Sequence, residues 1–150
     1  MDKLQKLRDY VIACTSLKLQ PEDVVSWVRA GKITSHVAAK NSGANQNFVV
    51  TYDLHLLVSD FSAPAHELFY LVLRWAHEHI DGISSDAVTF DSDALDSERC
   101  DVEIVIRGVK DTVKVRQTDE GVELHTCAGR QDVDPIVIPD VLISMINEGT

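Results

Sequence analysis

Residues 61–80 read FSAPAHELFYLVLRWAHEHI and hold His66, His77 and His79, half of the six histidines in the chain, with Glu67 and Glu78 beside them. Imidazoles next to carboxylates can bind a divalent metal or relay a proton. If the segment is a helix, geometry decides what these groups can share. His77 and His79 lie about 200° apart around the axis and face opposite sides. His66 and His77 share a face but sit roughly 16 Å apart along it, too far for one ion. The HExxH pattern, with two histidines four apart on one face, is absent. Asp81 follows His77 by four residues, so one His/Asp pair can form near the helix end, where an imidazole also complements the dipole.

Other combinations exist. His36, Asp53 and His55 are expected on one polar sheet face. Two imidazoles and a carboxylate there can bind a metal or act as acid and base; a solvated sheet face accounts for them equally well. His125 and Cys127, two apart on a strand, share a face and could form a thiolate–imidazole pair, but no third group is placed to orient them. Asp91 to Glu98, DSDALDSE, is rich in carboxylates but lacks the glycine at loop position 6 of an EF-hand, and Cys rather than Glu would occupy position 12. It reads as a solvated loop. Cys14, Cys100 and Cys127 are widely spaced and odd in number, which argues against a disulfide framework or CxxC knuckles and for reduced thiols. Neither a Gly-rich phosphate loop nor a nucleophile elbow is present. The expectation is a protein with no catalytic residue, no metal and no cofactor.

The frame that holds these groups is of ordinary domain size. The 150 residues are 45% hydrophobic and 25% charged, the composition of a soluble globular domain able to build a core without staples. No apolar run reaches the roughly 18 residues of a membrane helix, so no membrane association is expected. MDKLQKLRDYVIAC lacks the apolar stretch and cleavage site of a secretory signal. With 14 basic against 24 acidic residues the net charge is −10. Nucleic-acid binders carry a basic stripe. The nearest approach, Lys110, Lys114 and Arg116, is diluted by Asp111, Asp119 and Glu120, so direct nucleic-acid binding is not expected. Acidic charge can steer the chain toward a basic partner.

Periodicity predicts an α+β fold. Leu4, Leu7, Tyr10/Val11 and Cys14 recur at helical spacing over 2–14. Pro21 at a first helical position, with Glu22 and Asp23 in the first turn, predicts a second helix over 21–30, stopped by Gly31. The pattern then turns to period two. Residues 32–41 and 47–59 read as a long hairpin joined by NSGANQ, with Val50, Tyr52, Leu54, Leu56 and Val58 on one face. Matching apolar faces pairs Val37 with Tyr52 and Ile33 with Leu56, and sets His36 opposite Asp53. The histidine segment predicts a helix over 64–80 capped by Ser62, apolar nearly all round and therefore covered on more than one side. Short strands follow at Val88–Phe90, Val102–Arg107, Val113–Arg116 and Val122–Leu124, with a break at Gly108 and a hairpin turn at TDEG. The expected architecture is an antiparallel sheet with a long hairpin, one long central helix and two N-terminal helices packed on one face. Residues 1–131 read as a single α+β domain, and 132–150 as an apolar arm punctuated by Pro135 and Pro139. Such an arm either folds back over the core or docks on a neighbour.

Within this frame, Asn47 to Ile83 resembles the tail completion protein R (GpR) family of contractile-tailed temperate phages. The pattern is a hydrophobic strand ending in Val58-Ser59-Asp60-Phe61, a short link, and a long apolar helix carrying Leu73-Arg74-Trp75 near its end. The resemblance spans roughly residues 1–110. It implies a structural protein of tail assembly, not an enzyme: a tail completion or terminator subunit, forming a ring at the head-proximal end of the tail and enabling head–tail joining. Implied partners are further copies of the chain, with a hexamer favoured, and other tail and head-completion proteins. The implied location is the bacterial host cytoplasm during assembly and then the virion tail. A ring needs two different patches per subunit. The candidates are Phe69, Tyr70, Leu73 and Trp75 on the helix and Ile136, Val137, Ile138, Leu142 and Met145 on the arm. The alternative from the residues is a small cytosolic metal-binding protein or enzyme using His36, Asp53 and His55. An acidic mimic of DNA fits least, because the carboxylates are spread over sheet and helix.

Overall fold

The computed structural model describes residues 2–35, 47–128, 131–132 and 136–139, with side chains through 126. These residues form two α-helices, α1 (Asp2–Ala13) and α2 (Ala65–His79). They also form strands β1 (Val24–Ser35), β2 (Phe48–Phe61), β3 (Val88–Ala94), β4 (Cys100–Thr118), β5 (Gly121–Ala128), β6 (Gln131–Asp132) and β7 (Ile136–Pro139). Strands pair in the order β1-β2-β4-β5-β6, with β3 on β4 and β7 on β5, so the class is α+β with an antiparallel sheet. The chain makes two compact units, residues 1–31 with 51–109 and residues 32–50 with 110–150.

In the first unit, the second helix expected over 21–30 does not form. Pro21, Glu22 and Asp23 start a helical turn, but it is a single 3-10 turn. Val24, Val25, Trp27 and Val28 then run extended, because β-branched and aromatic side chains lose least on a pleated surface. Val24 is buried and Val25 exposed, the alternation of a strand. Helix α1 lies against this strand: Arg8 Nε donates to the Val24 carbonyl at 2.8 Å, and the Ser26 hydroxyl donates to the Leu4 carbonyl at 3.1 Å. Gly31 does not stop a helix but lies inside β1, where a Cβ would fall 2.5 Å from the Thr51 carbonyl oxygen and 3.1 Å from Tyr52 Cβ.

That contact corrects the hairpin register. Gly31 lies beside Thr51 and Tyr52, and Trp27 stacks on His55 at 5.2 Å. Tyr52 therefore lies near Gly31, not beside Val37. The expected register set odd residues of β1 beside even residues of β2, whereas Trp27 shares a face with His55, and Val24 is buried as are the even-numbered Tyr52, Leu54, Leu56 and Val58. Ile33, expected opposite the buried Leu56, is 74% exposed. Residues 36–46, with His36, Val37 and NSGANQ, lie outside the described residues.

The inner sheet face carries Tyr52, Leu54, Leu56 and Val58 of β2 with Val102, Ile104 and Ile106 of β4, all buried. Leu7 and Val11 of α1 and Leu68, Val72, Trp75 and Ala76 of α2 complete the core. Each such side chain contributes about 1.5–3 kcal/mol. Helix α2 begins at Pro64 without a side-chain cap rather than with Ser62. Before it, Asp60 takes a left-handed φ of 56°. Its N–H donates to Asp101 Oδ1 at 3.0 Å, its carboxylate accepts from Arg99 at 2.9 Å, and Phe61 is buried. The Val58-Ser59-Asp60-Phe61 motif is thus the corner that turns β2 toward α2.

Gly108 does not break the run of β4 either. It adopts φ +71° within a 19-residue strand, and its N–H donates to Asp53 Oδ1 at 3.1 Å. The first half of the expected acidic loop, residues 91–94, is strand: β3 pairs with β4 from Val88↔Ile106 to Ala94↔Cys100. Only residues 95–99 turn, closed by Asp96, whose carboxylate accepts the N–H groups of Glu98 and Arg99 at 2.8 Å.

In the second unit, the β4–β5 hairpin turns at Thr118↔Gly121, as TDEG predicts. The Val115 N–H donates to Asn47 Oδ1 at 2.8 Å. Strand β7 pairs with β5 from Gly121↔Pro139 to Leu124↔Ile136, a lateral position that tolerates proline. Leu142 and Met145 lie outside the described residues.

Two outcomes are expected. Gly31→Ala forces backbone apart and should cost about 1–3 kcal/mol in urea unfolding, whereas Gly108→Ala meets open space and should cost about 1–2 kcal/mol through its positive φ alone. Equal stability of Gly31→Ala and the native chain would contradict the close approach. Separately, the backbone N–H of Glu98, with the Arg99 side chain and N–H, holds the Asp96 carboxyl below the usual aspartate range. Its contribution to closing the turn is present above the ordinary aspartate pKa and lost as pH falls through the lowered value. An NMR titration of the Asp96 carboxyl carbon should give a midpoint below about 3.9.

Candidate functional site

Helix α2 has apolar residues on faces that one sheet cannot cover. Its inward stripe is Leu68, Val72, Trp75 and Ala76. One turn around, Tyr70 is 62% and Leu73 40% exposed. Across from them on β3, Phe90 is 59% exposed and packs its ring on Phe69 at 4.5 Å. Between helix and strand lies a groove of about 170 Å³, walled by Phe69, Val72, Leu73, Val88, Phe90 and Ile104. Its floor is core and its lips are solvent-exposed aromatic and aliphatic carbon. Contiguous exposed apolar surface of this kind marks an interaction site.

The three helix histidines part company around this groove. His66 and His77 are exposed and, with Tyr70 and Leu73, follow the i, i+4, i+7, i+11 stripe of a single face. His66 stands beside Phe69, ring centroids 6.3 Å apart. His79 turns back onto the helix, stacking on Trp75 at 4.9 Å with Nδ1 3.0 Å from the Trp75 carbonyl. Of the helix residues expected at an interface, Phe69 and Leu73 border the groove, Tyr70 is exposed beside them on the helix, and Trp75 is 1% exposed and belongs to the core. Phe90 was not anticipated. A strand pattern marks it as one of an alternating pair, and nothing local says that its inward side lies at the lip of a groove.

The outer sheet face of the same unit carries the other polar cluster. His55 is 7% exposed, covered by the Trp27 ring, and its Nδ1 lies 2.8 Å from Glu103 Oε1. Glu103 stands opposite Asp91 in the β3–β4 register, so the imidazole sits where two carboxylates face each other. Asp53 is engaged elsewhere, with the Gly108 N–H and, at 3.4 Å, with Arg107. Asp53 and His55 therefore share a face but serve different partners. Among the described residues no group of three His, Cys, Asp or Glu side chains is disposed to hold a metal ion. His125 pairs with Glu123, Cys14 and Cys100 are free thiols, and the Cys127 side chain lies outside the described residues. Nor is any helix among the described residues long and apolar enough to cross a membrane.

This division predicts which histidines matter to folding. His55→Ala uncovers Trp27 and leaves Glu103 facing Asp91 without its donor, so urea unfolding should show a loss of about 1–3 kcal/mol. His66→Ala and His77→Ala, on exposed helix surface, should stay within about 0.5 kcal/mol of the native chain.

No curated protein and no solved structure matches the chain. The family described as P2 phage tail completion protein R (GpR) matches over residues 1–131, further than the 110 or so residues spanned by the motif resemblance. The chain therefore belongs to the P2 phage tail completion protein R family, structural proteins of phage tail assembly.

Proposed function

We propose that this chain is the terminator subunit of a contractile tail. Copies assemble into a ring, with six subunits favoured, at the head-proximal end of the tail, where the ring ends tube growth and presents a surface for head joining. The observation that carries the reading is the groove between α2 and β3, whose lips, Leu73 and Phe90, stay exposed in the isolated chain. A subunit built to assemble keeps such a face open until a neighbour covers it. A closed ring uses two different patches on every subunit and buries well over roughly 1,000 Å² at each junction. The net charge of −10 keeps free subunits apart until that contact forms. The family role supplies the setting, and the other tail and head-completion proteins are the expected further partners.

Leu73→Asp tests this. Leu73 lies at the lip of the groove, so the variant should keep its circular-dichroism spectrum and lose no more than about 1 kcal/mol of stability. It should nevertheless fail in assembly: electron microscopy should show tails of irregular length or tails without heads. Normal particles made with Leu73→Asp would sink the reading.

A further inference from the structure

The groove needs an occupant, and one segment of the chain suits it. Residues 140–150, DVLISMINEGT, follow β7 in the sequence. They carry five apolar side chains in seven positions: Val141, Leu142, Ile143, Met145 and Ile146 are interrupted by Ser144 and followed by Asn147. Carboxylates bracket this run, Asp140 before it and Glu148 after it. The α2 face has the reciprocal layout. Phe69, Tyr70 and Leu73 form its apolar centre, and the exposed His66 and His77 stand at its two ends.

Lengths agree as well. The two histidines lie roughly 16 Å apart along the helix. The eight residue steps from Asp140 to Glu148 span anything from roughly 12 Å to roughly 28 Å depending on conformation, a range that contains the spacing of the histidines. Imidazole N–H groups donate to carboxylates whether or not the ring is charged. The pairing thus matches apolar to apolar in the middle and donor to acceptor at both ends.

We propose that the α2–β3 groove of each copy receives residues 140–148 of the neighbouring copy. This rests on the ring reading above and gives it a specific junction. The groove is one patch and the segment is the other, as a head-to-tail ring requires. The segment lies beyond residues 1–131, the part of the chain that the family match covers.

The test uses the full chain with Leu142 replaced by the photo-crosslinking residue p-benzoylphenylalanine, prepared as a mixture of ordinary and nitrogen-15-labelled protein, with and without tail tubes. Irradiation should give a ladder of covalent oligomers. Mass spectrometry should join position 142 to the α2 segment containing Leu73, in mixed-isotope pairs that arise only between chains. Leu73→Asp, introduced into the chain that carries the probe at 142, should lower the yield of that ladder by roughly tenfold or more, as loss of an interface anchor does. Crosslinks confined to one chain would show that the segment covers its own groove and would overturn the proposal. So would crosslinks to another face, or none above those of the same probe placed at Val25. If Leu73→Asp blocks tail completion while the probe at 142 marks a different surface, the ring reading stands and this occupant falls. If Leu73→Asp completes tails normally, the ring reading itself fails.

Discussion

Helix α2 carries more apolar surface than a single sheet face can take, and that excess governs the unit around it. Leu68, Val72, Trp75 and Ala76 meet the inner face formed by β2 and β4. At about 1.5–3 kcal/mol per buried side chain, this stripe dominates the choices open to the surrounding chain. It sets which parity of β2 and β4 turns inward, and hence that His55 and Glu103 must turn outward. It requires a tight corner at Asp60, so that β2 can deliver the helix onto the face the strand has just built. What the stripe cannot absorb is left exposed on the helix, as Leu73 at the lip of the groove beside β3 and Tyr70 next to it.

Periodicity revealed much of this frame. The alternation from Val50 to Val58, the helical spacing of Leu7 and Val11, and the turn at TDEG are each settled by local pattern, and the structure follows them. The departures have long-range causes. Pro21-Glu22-Asp23 is sound helix-start chemistry, but it is overridden after one turn by a β-branched run for which β2 provides an edge. The hairpin register differs from the expected one because apolar matching turned Ile33 inward, whereas a glycine against a carbonyl and the Trp27–His55 stack set both position and face. Gly108 looked like a terminator, yet its positive φ is absorbed inside the strand by Asp53, 55 residues distant in sequence. The candidate interface was legible in part. Phe69, Tyr70 and Leu73 follow from a helix too apolar for one neighbour. Trp75 went inward because it shares the spacing of Leu68 and Val72. Phe90 could be found only by knowing what lies across from it.

The family motif acquires a physical meaning in this light. Asp60 is one of the few side chains that accept a left-handed backbone, and its carboxylate also receives Arg99 from the β3–β4 turn. Phe61 fills core, and Trp75 anchors α2 near its end. These residues identify the chain by its folding requirements. No chemistry attaches to them, which suits a family whose work is assembly.

Strand β3 has one further implication. Among the described residues it pairs with β4 alone, so its other edge offers open N–H and C=O groups along Val88–Ala94. Open edges invite unwanted pairing between copies, and acidic side chains are a common guard. Asp91 and Asp93 occupy that edge, with Asp96 and Glu98 at the turn beyond it. Carboxylates along this edge make it a poor template for sheet extension, so the same strand that borders the apolar groove resists joining edge to edge.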